Sequence, residues 1–430
     1  MPSPRLTQPH PPRTRARRRL GGALAAALAL VATVGGTGAA AAPERAGAQG
    51  LREVMFVGNN WDGTADVIES RGAFGRVGRL DVIPDKEERL REIYLNPIKL
   101  AFFLGVRSGP GEGHDQYVDD MYATPDGTAM VVSRPSFADV VSLDLRTGRI
   151  NWRFPVAGYR SDHMAVSPDG TRVAVSASTA NTVHVLDIVT GRQVGSFKTG
   201  DKPHENVFTS DGLLWNMAIG EVTTALDEPW LDWTKGDRKI TIVDAKTFET
   251  VRVIDMRERL DAFGRTDLSD AVRPVAFTPD EKKLYFQVSF LNGFLEYDIA
   301  ADRITRLKVL PGNPATDPDR TKWVNDSRHH GLSMSPDGGK LCVAGTMDDY
   351  ATVVDRATLR QGPLVEASKP YWATVSGDGR SCVISESGAD KVTAIDFATG
   401  QRVASVNVGD HPQRVRLAHV PADWTGPSAD

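Results

Sequence analysis

Three histidines, His163, His204 and His330, stand at equivalent places before a recurring turn phrase, and carboxylates, arginines and aromatics fill the other equivalent places. Counting back seven positions from the aspartate of each turn gives Asp119, Asp162, His204, Arg273, His330 and Tyr371. Counting back six gives Asp120, His163, Glu205, Pro274, Gly331 and Trp372. A final run from Gly409-Asp410 adds Gln413 and Arg414, and His329 and His114 stand close enough in sequence to join. Imidazoles and carboxylates drawn together from separate elements suit a divalent metal bound through nitrogen and oxygen, namely Ca, Mn or Mg. Neutral imidazole, arginine and tyrosine also suit proton abstraction beside a carboxylate, followed by protonation of a leaving oxygen. The competing reading is structural: side chains at these places can satisfy backbone groups where repeats join.

The turn phrase itself supplies the architecture. Ser167-Pro168-Asp169-Gly170 recurs as Thr124-Pro125-Asp126-Gly127, Thr209-Ser210-Asp211-Gly212, Thr278-Pro279-Asp280-Glu281, Ser335-Pro336-Asp337-Gly338 and Ser376-Gly377-Asp378-Gly379. Proline presets φ, aspartate caps its own backbone and glycine accepts positive φ. Each phrase leads into a β-rich run such as Arg172–Ser176, a polar turn, a second run such as Val183–Asp187, and a Thr-Gly turn before a last run. A second turn, Asp-x-x-Thr, recurs at Asp144, Asp244, Asp355 and Asp396. Four short strands per unit, with the closest units 42 and 43 residues apart, predict β-propeller blades. Six units are complete. Strands near Val54–Val57, Ala65–Ile68 and Val77–Leu80 lack a first strand, which residues 412–417 supply, so the chain ends should close a seventh blade and leave no free edge. The expectation is an all-β, seven-bladed propeller over residues 52–420, after a linker at 43–51 and before a flexible tail at 421–430.

Units of this form resemble the YVTN-type, YncE-like propeller repeats over most of residues 52–420. That resemblance implies the fold, but its relatives include binding proteins, dehydrogenase subunits and lyases, so it implies no single activity. The ring of histidines also resembles, more weakly, the channel mouth of propeller-fold polysaccharide lyases, where histidines hold a divalent cation. On that likeness His163, His204 and His330, with Asp120 or Glu205, would bind metal. Arg273 would hold a substrate carboxylate, His330, His329 and Tyr371 would move protons, and Trp372, Trp230, Trp233, Arg414 and His114 would contact substrate.

Interruptions of the repeat are concentrated. Residues 85–113, 256–271 and 311–328 lengthen last-to-first connections and residues 220–237 lengthen a second-to-third turn, so all four should build up one face. Asp85–Tyr94 reads as a short helix covering a blade junction.

At the start, Arg13, Arg15 and Arg17–Arg19 precede an Ala/Leu/Val/Gly stretch from Leu20 to Val34 and the small run Ala39–Ala42. This reads as a cleaved export signal over residues 1–42, of general or twin-arginine type, and the apolar stretch is too short for a good membrane span. Its six arginines account for that many of the 51 basic side chains, leaving 45 against 55 acidic ones and a mature net charge of −10. Such a chain, without a basic cluster, is a poor nucleic-acid binder. With 40% hydrophobic residues and only two cysteines it is neither disordered nor a disulfide-dense or Cys-rich metal protein. No nucleotide-, flavin- or haem-binding pattern and no serine-hydrolase or zincin motif stands in a fitting context. His184 alternates with core positions and reads as structural. Cys342 and Cys382 lie thirteen and fourteen residues before Asp355 and Asp396; the one-residue offset sets them on opposite strand faces, against pairing, although an export compartment would permit a disulfide. The two functional expectations are a secreted, monomeric metal-assisted lyase on an acidic glycan or related small molecule, and a non-catalytic exported propeller binding a protein, peptide or cell-wall glycan.

Overall fold

The computed structural model describes residues 50–221, 229–323 and 327–427; the expected export signal lies outside the described residues. Among the described residues, twenty-eight strands form seven four-stranded antiparallel sheets, the blades of a propeller. Blade 1 is closed as its partial sequence repeat requires: Pro412–Pro421, from the C-terminal end, pairs with Leu51–Asn59 as the innermost strand. Blades 2 to 7 follow in chain order, with inner strands Met121–Ala123, Ser161–Val166, Pro203–Phe208, Val272–Phe277, Gly331–Met334 and Pro370–Val375. Among the described residues beyond 420, Trp424 is buried and its indole N–H donates to the Leu145 carbonyl at 2.6 Å.

The turn chemistry is what the sequence pattern implies. In each of the six phrases the Ser or Thr hydroxyl donates to the aspartate two residues on, at 2.5–2.7 Å. Glu281, which replaces the usual glycine, adopts the same left-handed conformation at φ 52°. Apolar residues alternate along the strands and meet those of the next blade; Cys342, Val353, Cys382 and Ile384, for example, share one inter-blade cluster.

One expectation about the fold needs correction. Cys342 and Cys382 are joined by a disulfide with Cα atoms 6.1 Å apart. The offset does place them on opposite faces, but neighbouring blades pack face to back, so opposite faces are the ones that meet. The helix expected in the first insertion is α1, Lys86–Tyr94, and a second, α2, Pro97–Ser108, follows it, its start capped by the Asn96 side chain accepting from the Ile98 and Lys99 N–H groups. A third helix, α3, Met256–Ala262, opens the insertion at 256–271. The three long last-to-first connections lead into inner strands of blades 2, 5 and 6, and therefore adjoin the channel end at which those strands begin.

Candidate active site at the channel mouth

Inner strands do not pair regularly where they enter the channel. Ser161 pairs with Ala177 but the next pair is Met164 with Val175, so three steps on the inner strand match two on its neighbour. The same extra residue occurs at Pro203/Asn206, Val272/Val275, Pro370/Trp372 and, in the closing strand, between Pro412 and Val415. These are β-bulges, which re-aim side chains and release a residue from the ladder. They fall on Asp162-His163, His204-Glu205, Arg273-Pro274, Tyr371 and Gln413-Arg414, which accounts for two successive polar residues serving the ring in blades 3, 4 and 1.

The ring residues are brought together and buried. The His163 and His204 rings lie 3.7 Å apart, His204 and His330 5.9 Å, and His330 and Tyr371 4.3 Å. His163 Nδ1 hydrogen-bonds Glu205 Oε2 at 2.7 Å, while its Nε2 lies 3.5 Å from Asp162 Oδ1 and 3.9 Å from Asp119 Oδ2. Asp162, His163 and His204 each bring a ligand atom within 4.8 Å of the others. His204 Nδ1, His330 Nε2 and Asp119 Oδ2 are buried without a hydrogen-bond partner among the described residues. Arg414 is fully buried, lies over Trp372 with Cζ 3.7 Å from the ring centre, and sets its NH2 against the His163 ring.

Burial presses all three imidazoles well below their ordinary range, and the Arg414 and Arg273 charges add to this, so they are neutral. Burial pushes Asp119 and Glu205 up to about 7, against the opposing pull of Arg414. Neutral nitrogen donors beside carboxylates fit a divalent cation, and a carboxylate on the far nitrogen of a ligating histidine, as Glu205 is on His163, is the usual orienting arrangement.

The carboxylate in the cluster differs from the one expected. Asp120 is committed elsewhere: its two oxygens receive a bidentate pair from Arg416 at 2.8 and 2.7 Å and the Met121 and Met164 N–H groups. Asp162 takes its place, Glu205 orients His163, and His330 stands outside the convergent group. His329 is directed to Asp348, Nε2 to Oδ2 at 2.9 Å. Arg273 donates to Ser289 Oγ at 3.0 and 2.8 Å. His114 stacks on Trp61, 3.8 Å away, on the other side of which His411 stacks at 3.7 Å. Trp230 and Trp233, 73% and 83% exposed, sit on the short 3-10 segment Pro229–Thr234. His184 is structural, bonded to Gln193 Oε1 and the Ala157 N–H.

Beneath the ring, Asn206 Nδ2 donates to the His163 carbonyl at 3.0 Å and to Ser176 Oγ at 2.8 Å, and Asn216 braces Asn206. Sequence reasoning missed this support, although Asn206 directly follows the two ring positions of its strand.

No family model matches the chain, and no curated protein matches it in sequence. Among solved structures, Kuenenia stuttgartiensis hydrazine synthase is similar, with a TM-score of 0.53 at 17% identity over 72% of this chain and 96% of that one. At that identity the likeness is one of fold.

Proposed function

We propose that the protein is an exported enzyme of the YVTN-type propeller group, a lyase that uses a divalent cation and acts on a uronate-containing glycan or a small molecule derived from one. The observation that carries the reading is the convergence of Asp162, His163 and His204, with ligand atoms within 4.8 Å and His204 Nδ1 lacking a partner among the described residues. Asp162 is paired with Arg160 and accepts the His163 N–H, so it is the buried, unpartnered His204 nitrogen that a ligand would complete. A cation held there would help neutralise a substrate carboxylate and so acidify the neighbouring C–H.

The chain's own groups then divide the work. His330, neutral and with Nε2 unpartnered among the described residues, takes the C5 proton. The electron pair forms the C4–C5 double bond, the C4–O bond breaks, and Asp119, through Oδ2, gives a proton to the leaving oxygen. Glu205 fixes the orientation of His163. Export is supported by the basic, apolar and small-residue sequence at the start and agrees with the disulfide.

Screening uronate-containing glycans for unsaturated products tests this. Activity in the wild type and none in a His163→Ala/His204→Ala double variant shown to be folded is the expected result; full activity in the variant would sink the reading. A second reading, a non-catalytic binding propeller, draws on the exposed aromatics Trp230 and Trp233. It predicts that glycan or peptide binding survives the double variant and falls when those two residues become alanine.

A further inference from the structure

We propose that Arg414 is the carboxylate receptor of the channel mouth, and that the substrate's anion is bound by a half-ring of donors facing the acidic half. This deepens the lyase reading and rests on it for the choice of a carboxylate as the anion. The polarity of the ring is the starting point. Its carboxylates, Asp119, Asp120, Asp162 and Glu205, all come from blades 2, 3 and 4. The opposite arc, from blades 5, 6, 7 and 1, presents Arg273, His330, Trp372, Gln413 and Arg414 and no carboxylate at equivalent positions.

Arg414 is the unusual member. It is 0% exposed, yet among the described residues Nε and NH1 have no hydrogen-bond partner, and the nearest carboxylate oxygen recorded, Asp119 Oδ1, is 3.8 Å from Nε. Arg134, equally buried, is held by Asp139 at 2.8 Å through both Nε and NH2, and Arg416, two residues further on, is held bidentately by Asp120. A buried guanidinium without a bidentate partner is costly, and the partner such a planar fork fits is a carboxylate. Gln413 Nε2, Trp372 Nε1 and His330 Nε2 on the same arc are likewise buried and without partners. Trp372, stacked under the guanidinium, holds it in plane.

The contact of Arg414 with His163 gives the arrangement a consequence. A guanidinium set against the His163 ring nitrogens and a cation on the same ring exclude one another. An anion that draws Arg414 away frees His163, so anion and cation should each raise the affinity for the other by the same factor.

The test is calorimetric titration of the purified protein with sodium D-glucuronate, with D-glucose as the uncharged control, in EDTA and again in Mn2+. Glucuronate should bind and glucose should not, binding should persist in EDTA, and Mn2+ should tighten it. R414Q should weaken glucuronate at least tenfold. Q413E, which leaves Arg414 in place but adds a negative charge, should weaken it as well and decides the matter if R414Q fails to fold. Equal affinity for the two sugars, no binding of glucuronate, binding only in Mn2+, or wild-type affinity in the folded variants would each overturn the assignment. Failure of the cation site is read separately, from a Mn2+ titration without sugar.

Discussion

Replacing Glu296 by glutamine should destabilise the protein by about 2 kcal/mol at pH 7 and by almost nothing at pH 2. Glu296 lies in the third strand of blade 5, with Tyr285 directly opposite on one side and Arg306 on the other. Its carboxylate receives the Arg306 guanidinium, at 2.8 Å from Nε, the Tyr285 hydroxyl, and the Thr305 hydroxyl at 2.7 Å. Burial alone would raise its pKa, but these donors, Arg306 foremost, outweigh burial and bring it from 4.5 down to about 2. A depression of that size corresponds to about 3 kcal/mol favouring the ionised form in the folded state. The Arg306 side chain is 31% exposed, and solvent screening reduces the figure to about 2 kcal/mol. Because the folded pKa lies below the unfolded one, the contribution is complete above about pH 5 and is lost as the pH falls from 4.5 through about 2. Urea unfolding of wild type and Glu296→Gln at several pH values between 7 and 2 measures the gap. A gap that is absent at pH 7, or that widens in acid, would refute the reasoning.

Three further outcomes follow from contacts elsewhere. Replacing Cys342 and Cys382 by serine removes a cross-link over a separation of 40 residues; it should cost about 4 kcal/mol by the chain-entropy argument and make the melting temperature insensitive to reductant. Trp61→Ala should uncover His411, whose pKa burial now lowers to about 3, and return it toward 6.5 in an NMR titration. Asp120→Asn should lower stability by about 3 kcal/mol, by stranding the Arg416 charge, while cation binding survives; Asp162→Asn should abolish cation binding and also lower stability, because it removes the carboxylate paired with Arg160.

The propeller was legible because its turns are local chemistry. A hydroxyl, a proline, an aspartate and a residue accepting positive φ within four positions specify a turn with little help from the rest of the fold, and their spacing then fixes the count of strands and the closure by residues 412–421. The ring positions were legible for the same reason, since they stand at fixed distances from those turns. What escaped depends on how strands meet. The bulges at Ser161–Met164 and Pro203–Asn206 turn both Asp162 and His163, and both His204 and Glu205, out of the regular ladder, so strict alternation could not say which carboxylate joins the histidines. Asp120 stands six residues before its turn, as His163 does, and is distinguished only by Arg416, which arrives from 296 residues away. The disulfide was misread because a face argument made within one sheet does not say which faces neighbouring blades present to each other. Helix α2 was missed although Asn96-Pro97 and Gly109 mark its start and its end in the sequence.

Metal content tests the central claim most directly. The purified mature protein, equilibrated with Mn2+ and freed of excess by gel filtration, should retain about one equivalent of cation per chain by elemental analysis, with His163→Ala/His204→Ala, shown folded by circular dichroism, retaining none. Absence of bound cation from the wild type, or equal retention by the double variant, would contradict a cation site at Asp162, His163 and His204 and the lyase reading built on it.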